Sequence, residues 1–124
     1  MLNANVPAWF EIPAENLDRA QNFYETVLAQ PLQRQNFGGL DMAVLRGGAK
    51  PNSSGALIAH EDLKPSVHGS IVYISVQNLD PVLERVQAHG GDTLVPRTAL
   101  PEGMGFFAQF RDSEGNRVGL WSPV

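Results

Sequence analysis

The chain has 124 residues, of which 43% are hydrophobic and 18% charged, and its formal net charge is −4 at pH 7. This composition predicts one soluble globular domain, and no apolar run approaches the roughly 20 residues that a membrane-spanning helix needs. The nine Lys and Arg residues are scattered, so no nucleic-acid partner is expected. Cys is absent and the N-terminus lacks the layout of a signal peptide, which favours a cytoplasmic protein without disulfides or thiolate chemistry.

The first half of the chain predicts the order β, α, β, β, β. Residues 6–14 form a short apolar-rich strand, after which Asn16 is a good helix N-cap. Apolar residues at helical spacing follow at Leu17, Ala20, Phe23, Tyr24, Val27 and Leu28. Pro31 ends this helix, and three strands are predicted at residues 31–37, 41–47 and 54–60, separated by glycine or by the turn-rich segment GGAKPNSSG.

The second half predicts the same order again. Residues 69–76 alternate as a strand, and Asn78 caps a helix whose apolar face is Leu79, Val82, Leu83 and Val86. Residues 92–98 form a further strand, and the loop RTALPEGMG is a plain connection or, alternatively, a lid. Residues 105–121, GFFAQFRDSEGNRVGLW, form a hairpin, since DSEGN contains the residues that favour a tight turn.

A repeat underlies this order. The triplet NLD follows the first strand of each half, at Asn16 and at Asn78, an offset of half the 124 residues. Each half is therefore one supersecondary unit whose apolar face is covered by its copy, with unit one at about residues 5–61 and unit two at about residues 67–124. The predicted fold is α+β, with two tandem βαβββ units whose sheets join edge to edge into a cup-shaped mixed sheet.

The segments NLDRAQNFYETVLAQPL, the second NLD helix and FRDSEGNRVGLW together resemble the vicinal oxygen chelate superfamily, which includes glyoxalase, bleomycin-resistance proteins, fosfomycin-resistance enzymes and extradiol dioxygenases. The resemblance covers nearly the whole chain as a single domain, residues 1–124. It implies a divalent metal held in the cup by His or Glu side chains, at positions occupied here by Trp9, Leu57, Ile71 and Gly119. None of these side chains can bind such a cation. No cofactor is therefore expected, and a divalent metal is disfavoured.

Strand alternation predicts which side chains line the cup. Those expected to bind a ligand are Trp9, Glu11, Tyr73, Phe107, Gln109, Arg117 and Trp121. An aromatic-walled pocket of this kind suits a small planar or partly apolar molecule. Glu11 is the candidate base, because its apolar neighbours would partly desolvate it; alternatively it pairs with Arg117 or is exposed.

Three functions remain open at this point. The first is a metal-independent small-molecule binder of the bleomycin-resistance type or, as an enzyme, a glyoxalase-related lyase or isomerase. The second is a metal-dependent lyase, isomerase or dioxygenase with atypical ligands, such as Glu11 with His60 or His68. The third is a non-catalytic dimeric module in which another subunit buries Trp9 and Trp121. The resemblance and the open sheet edges both imply a homodimer, and His89, near a helix end, is expected to be structural.

Overall fold

A computed structural model of the chain describes residues 1–2, 7–46 and 54–124. The first unit contains β1 (Trp9–Pro13), α1 (Leu17–Leu28), β2 (Gln33–Phe37), β3 (Leu40–Leu45) and β4 (Ser54–Ile58). The second unit contains β5 (Tyr73–Ser75), α2 (Leu79–Ala88), β6 (Asp92–Ala99), a 3₁₀ turn (Pro101–Gly103), β7 (Phe106–Arg111) and β8 (Arg117–Ser122). The predicted order, βαβββ twice, is confirmed. The start predicted for unit one and most of the GGAKPNSSG segment lie outside the described residues.

Each helix begins at its predicted asparagine cap. Asn16 Oδ1 accepts a hydrogen bond from the Arg19 N–H at 3.0 Å, and Asn78 Oδ1 accepts one from the Asp80 N–H at 3.0 Å. Both side chains thereby satisfy backbone donors that the first helical turn leaves free. α1 ends at Ala29, whose φ of 53° is left-handed. No helix among the described residues is long and apolar enough to cross a bilayer.

The strands form two separate four-stranded mixed sheets, ordered β1-β4-β3-β2 and β5-β8-β7-β6. In each unit the first strand runs parallel to the last, which places Glu11 opposite Ala56 and Tyr73 opposite Gly119. The other pairs are antiparallel. β5 is shorter than the predicted 69–76, since only Tyr73, Ile74 and Ser75 pair in register with β8. The predicted fold class of two βαβββ units is confirmed. The expected edge-to-edge pairing of the two sheets is not observed among the described residues, and the sheets do not close into a barrel.

Both units share one apolar core, which lies between the sheets and the helices. Phe23 of α1 reaches Phe110 of β7, with ring centroids 6.2 Å apart. Arg85 Nε of α2 donates a hydrogen bond to the Val27 carbonyl of α1 at 2.9 Å. The largest fully buried apolar side chains come from both units: Tyr24, Val27, Leu57, Leu79, Val86, Phe110, Val118 and Leu120. Each unit therefore covers the apolar face of its copy, as the repeat predicts.

A cleft of about 1370 Å³ separates the edges of the two units. β1 and β5 are both edge strands, and residues of each line the cleft. Apolar side chains of the first unit, among them Phe10 and Leu32, face Ile74 and Val76 of the second unit across it. Among the described residues no strand pairing bridges this seam. The seam is therefore where each sheet keeps an unpaired edge.

Candidate functional site

The alternation predicted for the strands is observed. Nine of the residues that alternation turns toward the helices belong to or pack against the shared core: Phe10, Ile12, Ile74, Val76, Phe106, Ala108, Phe110, Val118 and Leu120. Val72, which alternation also turns toward the helices, is not part of that core. The residues predicted to bind a ligand alternate with these along the same strands. They therefore lie on the side of each sheet that is turned away from the helices, which we call the open face.

A chain of hydrogen bonds connects three predicted site residues on the open face of the second unit. Arg117 Nη1 donates to Gln109 Oε1 at 2.8 Å, and Gln109 Nε2 donates to the Tyr73 hydroxyl oxygen at 2.6 Å. Arg117 Nε also donates to the Val67 carbonyl at 3.1 Å. The Tyr73 ring contacts Phe107 edge to face, with centroids 6.2 Å apart. Because Tyr73 accepts from Gln109, its own hydroxyl hydrogen is left to donate to a ligand.

Trp121 completes this surface. It lies opposite Phe107 in the β7–β8 ladder, and its indole N–H donates to the Met104 carbonyl at 2.9 Å. Gly105 permits the close approach, since a Cβ there would lie 3.0 Å from the indole nitrogen. The loop at residues 100–105, which follows β6, is thus bonded directly to a predicted site residue. We name the aromatic patch as the set Tyr73, Phe107, Gln109, Arg117 and Trp121.

Gly119 lies beneath the ring of Tyr73. The two residues are opposite each other in the parallel ladder of β5 and β8. A Cβ at position 119 would lie 2.5 Å from the Cε1 atom of Tyr73. Since real side chains do not approach so closely, the tyrosine ring occupies the space that any side chain at position 119 would need. The glycine is therefore a requirement of the observed Tyr73 position.

The first unit carries the other two predicted site residues at the edge of its open face. Trp9 Nε1 donates to Glu11 Oε2 at 3.3 Å, and both side chains are exposed, with Trp9 at 41%. No ion pair joins Glu11 to Arg117 among the described residues. The expectation that Glu11 is partly desolvated is therefore wrong, because its apolar neighbours Phe10 and Ile12 point to the opposite face of the strand.

Leu57 does not face the cup. It is fully buried in the shared core, while its neighbour Ala56 lies opposite Glu11. The expected position is wrong by one residue, and adjacent residues of a strand point to opposite faces. Ala56 belongs to an apolar cluster on the open face that the sequence analysis missed: Leu40, Met42, Val44, Ala56 and Ile58. Apolar residues occupy both faces of β3 and β4, so these strands do not alternate between polar and apolar residues. The pattern that would identify the open-face cluster is therefore missing from the sequence.

The residues present do not fit the metal that the resemblance implies. With the register corrected, the four positions carry Trp9, Ala56, Ile71 and Gly119. None offers an imidazole or carboxylate. Within residues 1–2, 7–46 and 54–124, no three His, Asp or Glu side chains are grouped to hold an ion. His60 Nδ1 accepts from the Asp62 N–H at 3.0 Å, and His89 Nδ1 lies 2.9 Å from the Arg85 carbonyl.

Two cavities lie along the seam, and four of the seven predicted site residues line one or the other. Tyr73 and Trp121 line the large cleft. Glu11 and Arg117 line a second cavity of about 130 Å³. The predicted residues that line neither are Trp9, Phe107 and Gln109. The structure therefore brings five predicted residues together on the second unit and places Glu11 on the same small cavity as Arg117.

The turn DSEGN joins the two units through Glu114. Its carboxylate accepts from the Asn16 N–H at 2.8 Å, from Arg19 Nε at 2.7 Å and Nη2 at 3.0 Å, and from Ser113 Oγ at 2.9 Å. The Glu114 side chain is only 1% exposed. Burial alone would raise the pKa of Glu114, but the hydrogen bonds that it accepts and the charge of Arg19 outweigh burial and hold the pKa below its ordinary value. The carboxylate thus binds the start of α1 as an anion.

Asp112 connects the same turn to the core. It is 2% exposed and accepts hydrogen bonds from the Tyr24 hydroxyl at 2.7 Å and from the Asn116 backbone N–H at 2.9 Å. Burial, together with the Asp112 carboxylate, raises the pKa of Tyr24 well above its ordinary value. Asn116 Nδ2 also donates to the Pro13 carbonyl at 2.7 Å. This network fixes the start of β8, where the aromatic patch begins, against the end of β1.

Comparison with solved structures shows the same fold at low identity. The chain is similar to a glyoxalase/bleomycin resistance protein from Albidiferax ferrireducens, with a TM-score of 0.73, 16% identity, and coverage of 95% of this chain and 98% of that one. A glyoxalase/bleomycin resistance protein/dioxygenase family enzyme from Burkholderia phytofirmans gives a TM-score of 0.67, 14% identity, and coverage of 94% and 98%. Glyoxalase I from Zea mays gives a TM-score of 0.67 and 19% identity. That match covers 98% of this chain but 48% of that protein.

Sequence comparison identifies the family. No curated protein matches the chain. The sequence profile of the Glyoxalase/Bleomycin resistance protein/Dioxygenase superfamily matches residues 7–120, which is nearly the whole chain. This match agrees with the two βαβββ units and with the resemblance carried by the two NLD helices and the final hairpin. The chain therefore belongs to the Glyoxalase/Bleomycin resistance protein/Dioxygenase superfamily.

Proposed function

We propose that the protein binds a small, planar and partly apolar molecule without a metal ion, in the manner of a bleomycin-resistance protein. The ligand lies on the aromatic patch, where the rings bury its apolar surface. The hydrogen-bonded chain of Tyr73, Gln109 and Arg117 orients its polar groups. Trp9 and Glu11 on β1 border the site across the seam.

The packing of Tyr73 over Gly119 is the observation that carries this proposal. The metal site that the resemblance implies has a ligand at position 119, and glycine has no side chain to supply one. The ring that covers the glycine instead adds an aromatic surface beside Phe107 and a free hydroxyl hydrogen beside Gln109. Both features suit ligand binding by stacking and hydrogen bonding. If the protein also acts on its ligand, Glu11 is its base in a lyase or isomerase reaction related to that of glyoxalase.

We further propose that the protein forms a homodimer in the cytoplasm. β1 and β5 both present unpaired backbone groups at a sheet edge, and the cleft between them leaves apolar side chains uncovered. A second copy related by a two-fold axis would cover both edges at once. The Cys-free sequence is compatible with a reducing compartment.

Thermal shift assays test the ligand proposal. The protein is screened against aromatic antibiotics, glutathione thioesters and small diols, and planar aromatic compounds are expected to raise its melting temperature. A ligand at one hundred times its Kd stabilises the folded state by about 2.7 kcal/mol. Phe107→Ala is expected to remove the shift, whereas Phe37→Ala, which removes an exposed ring from the far strand of the first sheet, should preserve it.

Metal analysis separates this function from its alternatives. Protein purified without added ions is analysed for bound metal. Stoichiometric zinc, nickel, manganese or iron would overturn the metal-free proposal in favour of a metal-dependent lyase, isomerase or dioxygenase. If instead no compound shifts the melting temperature, and the Trp9 and Trp121 fluorescence reports burial on dimerisation, the protein is an interaction module and the binding proposal is wrong.

A further inference from the structure

The smaller cavity has the size of an anionic head group. It lies where the end of β1, the connection between the units and the start of β8 meet, and its volume is about 130 Å³. This volume has room for a carboxylate and a few further atoms. Its charged, imidazole and hydroxyl side chains are Glu11, Lys64, Ser66, His68, Ser70 and Arg117.

Two cations supply the positive charge of this cavity. Arg117 is held in place by the bonds of its Nε to the Val67 carbonyl and its Nη1 to Gln109. Its Nη2 group and the ammonium of Lys64 have no hydrogen-bond partner among the described residues. A guanidinium fixed in this way presents its remaining donors without losing further side-chain freedom, which favours binding of a planar carboxylate.

Hydroxyl donors and one acceptor complete the cavity wall. Ser66 Oγ accepts from the His68 backbone N–H at 2.9 Å, so its hydroxyl hydrogen is free to donate. The Ser70 hydroxyl has no partner within the described part of the chain. The negative charge of Glu11 offsets one of the two positive charges of Lys64 and Arg117, so the cavity wall carries one net positive charge. This balance suits a monoanion and disfavours a dianion such as a phosphate monoester.

Arg117 belongs to both the small cavity and the aromatic patch. The bonds from Arg117 through Gln109 to Tyr73 connect the two surfaces. We propose that the ligand of the aromatic patch is an aromatic carboxylic acid, whose ring lies on the patch and whose carboxylate enters the small cavity between Arg117 and Lys64. This inference rests on the proposed function and adds the chemical class of its ligand.

Matched acid and amide pairs test the inference by isothermal titration calorimetry. The probes are phenylacetate, 2-naphthoate and indole-3-acetate, each with its primary amide, and the acids should bind about tenfold more tightly at 50 mM salt. The preference should weaken severalfold at 300 mM salt, because the cavity is partly open to solvent. Lys64→Gln should reduce the preference severalfold, and Arg117→Gln should remove it. Arg34→Gln, which removes a charge from the far strand of the first sheet, should leave it unchanged.

Each outcome decides between the two proposals. Acids and amides that bind equally well would overturn the carboxylate inference and leave the proposed function standing. A preference that persists in both Lys64→Gln and Arg117→Gln would also overturn it, since the carboxylate would then bind elsewhere. Failure of every acid and every amide to bind would overturn the proposed function together with the inference. Among the described residues Lys64 has no hydrogen-bond or ion-pair partner, so its variant keeps the test valid even if Arg117→Gln unfolds.

Discussion

Replacement of Glu114 by Gln is expected to weaken the attachment of the final hairpin to the first unit. The wild-type carboxylate accepts from one backbone N–H at Asn16, from two nitrogens of Arg19 and from Ser113. Gln has the same shape but only one acceptor oxygen. Because both oxygens of the Glu114 carboxylate accept hydrogen bonds, the NH₂ group of Gln would face a donor in either orientation of the amide. The variant therefore isolates the carboxylate charge without creating a cavity.

The expected loss is about 2–3 kcal/mol of unfolding free energy. Hydrogen bonds to a charged group contribute roughly 1.5–3 kcal/mol each, and about half of those at Glu114 are lost on substitution. The full value is not reached, because the Arg19 side chain is 55% exposed and water replaces part of the interaction. For a urea slope of about 1.5 kcal/mol per M, the unfolding midpoint should fall by roughly 1–2 M.

The difference in unfolding free energy between the wild type and Glu114→Gln should also depend on pH. The pKa of Glu114 is lowered in the folded state, so its contribution is complete above the unfolded-state pKa of about 4.3 and is lost as the pH falls through the folded-state pKa. Urea unfolding followed by circular dichroism at pH 7, 5, 4 and 3 measures this. The difference in unfolding free energy between wild type and Glu114→Gln should stay constant from pH 7 to 5 and become smaller below pH 4.

Asp92→Asn is the matched control. Asp92 accepts from Arg111 Nη1 at 2.8 Å, close to the shortest Glu114–Arg19 distance, but its side chain is 57% exposed. Its loss should therefore change the stability by less than about 1 kcal/mol. Equal losses of unfolding free energy for the two variants would refute the role assigned to burial. A difference between wild type and Glu114→Gln that is as large at pH 3 as at pH 7 would refute the role assigned to the Glu114 charge.

Three further substitutions test the packing of the site. Tyr24→Phe should cost about 1–3 kcal/mol in urea unfolding, because it leaves the buried Asp112 carboxylate without one of its donors; an unchanged midpoint would contradict this. Trp121→Phe removes the indole N–H that holds the loop at 100–105 and should speed proteolysis within that loop, with the rest of the chain equally resistant. Gly119→Ala should destabilise by about 1–3 kcal/mol, since the new Cβ meets the ring of Tyr73, and removing that ring in the double variant should restore most of the loss.

The elements that sequence reasoning predicted are those encoded by neighbouring residues. Asn16 and Asn78 cap the helices through backbone groups two or three residues away. The faces of β7 and β8 followed from alternation, because one face of each strand is more apolar than the other. Leu57 was misplaced because a count across a loop of uncertain length carries an error of one residue, which is enough to reverse the face of a strand.

The connections between distant residues were not predictable in this way. Glu114 lies 95 residues from Arg19, and nothing in DSEGN alone distinguishes a structural anion from an exposed turn residue. The position of the Tyr73 ring over Gly119 likewise depends on the register of β5 against β8. Neighbouring residues predict the strands and the turn, but only the pairing in three dimensions shows which side chain occupies the space above Gly119.

The two units have diverged at the same structural position. The parallel ladder pairs Glu11 with Ala56 in the first unit and Tyr73 with Gly119 in the second. A carboxylate at position 119 would have to displace the Tyr73 ring, and the displaced hydroxyl would leave Gln109 without its partner. A metal ligand on β8 and the hydrogen-bonded chain that leads to Arg117 are therefore alternatives for one space. A carboxylate placed at position 119 without other changes would disrupt the aromatic patch and would not by itself complete a metal site.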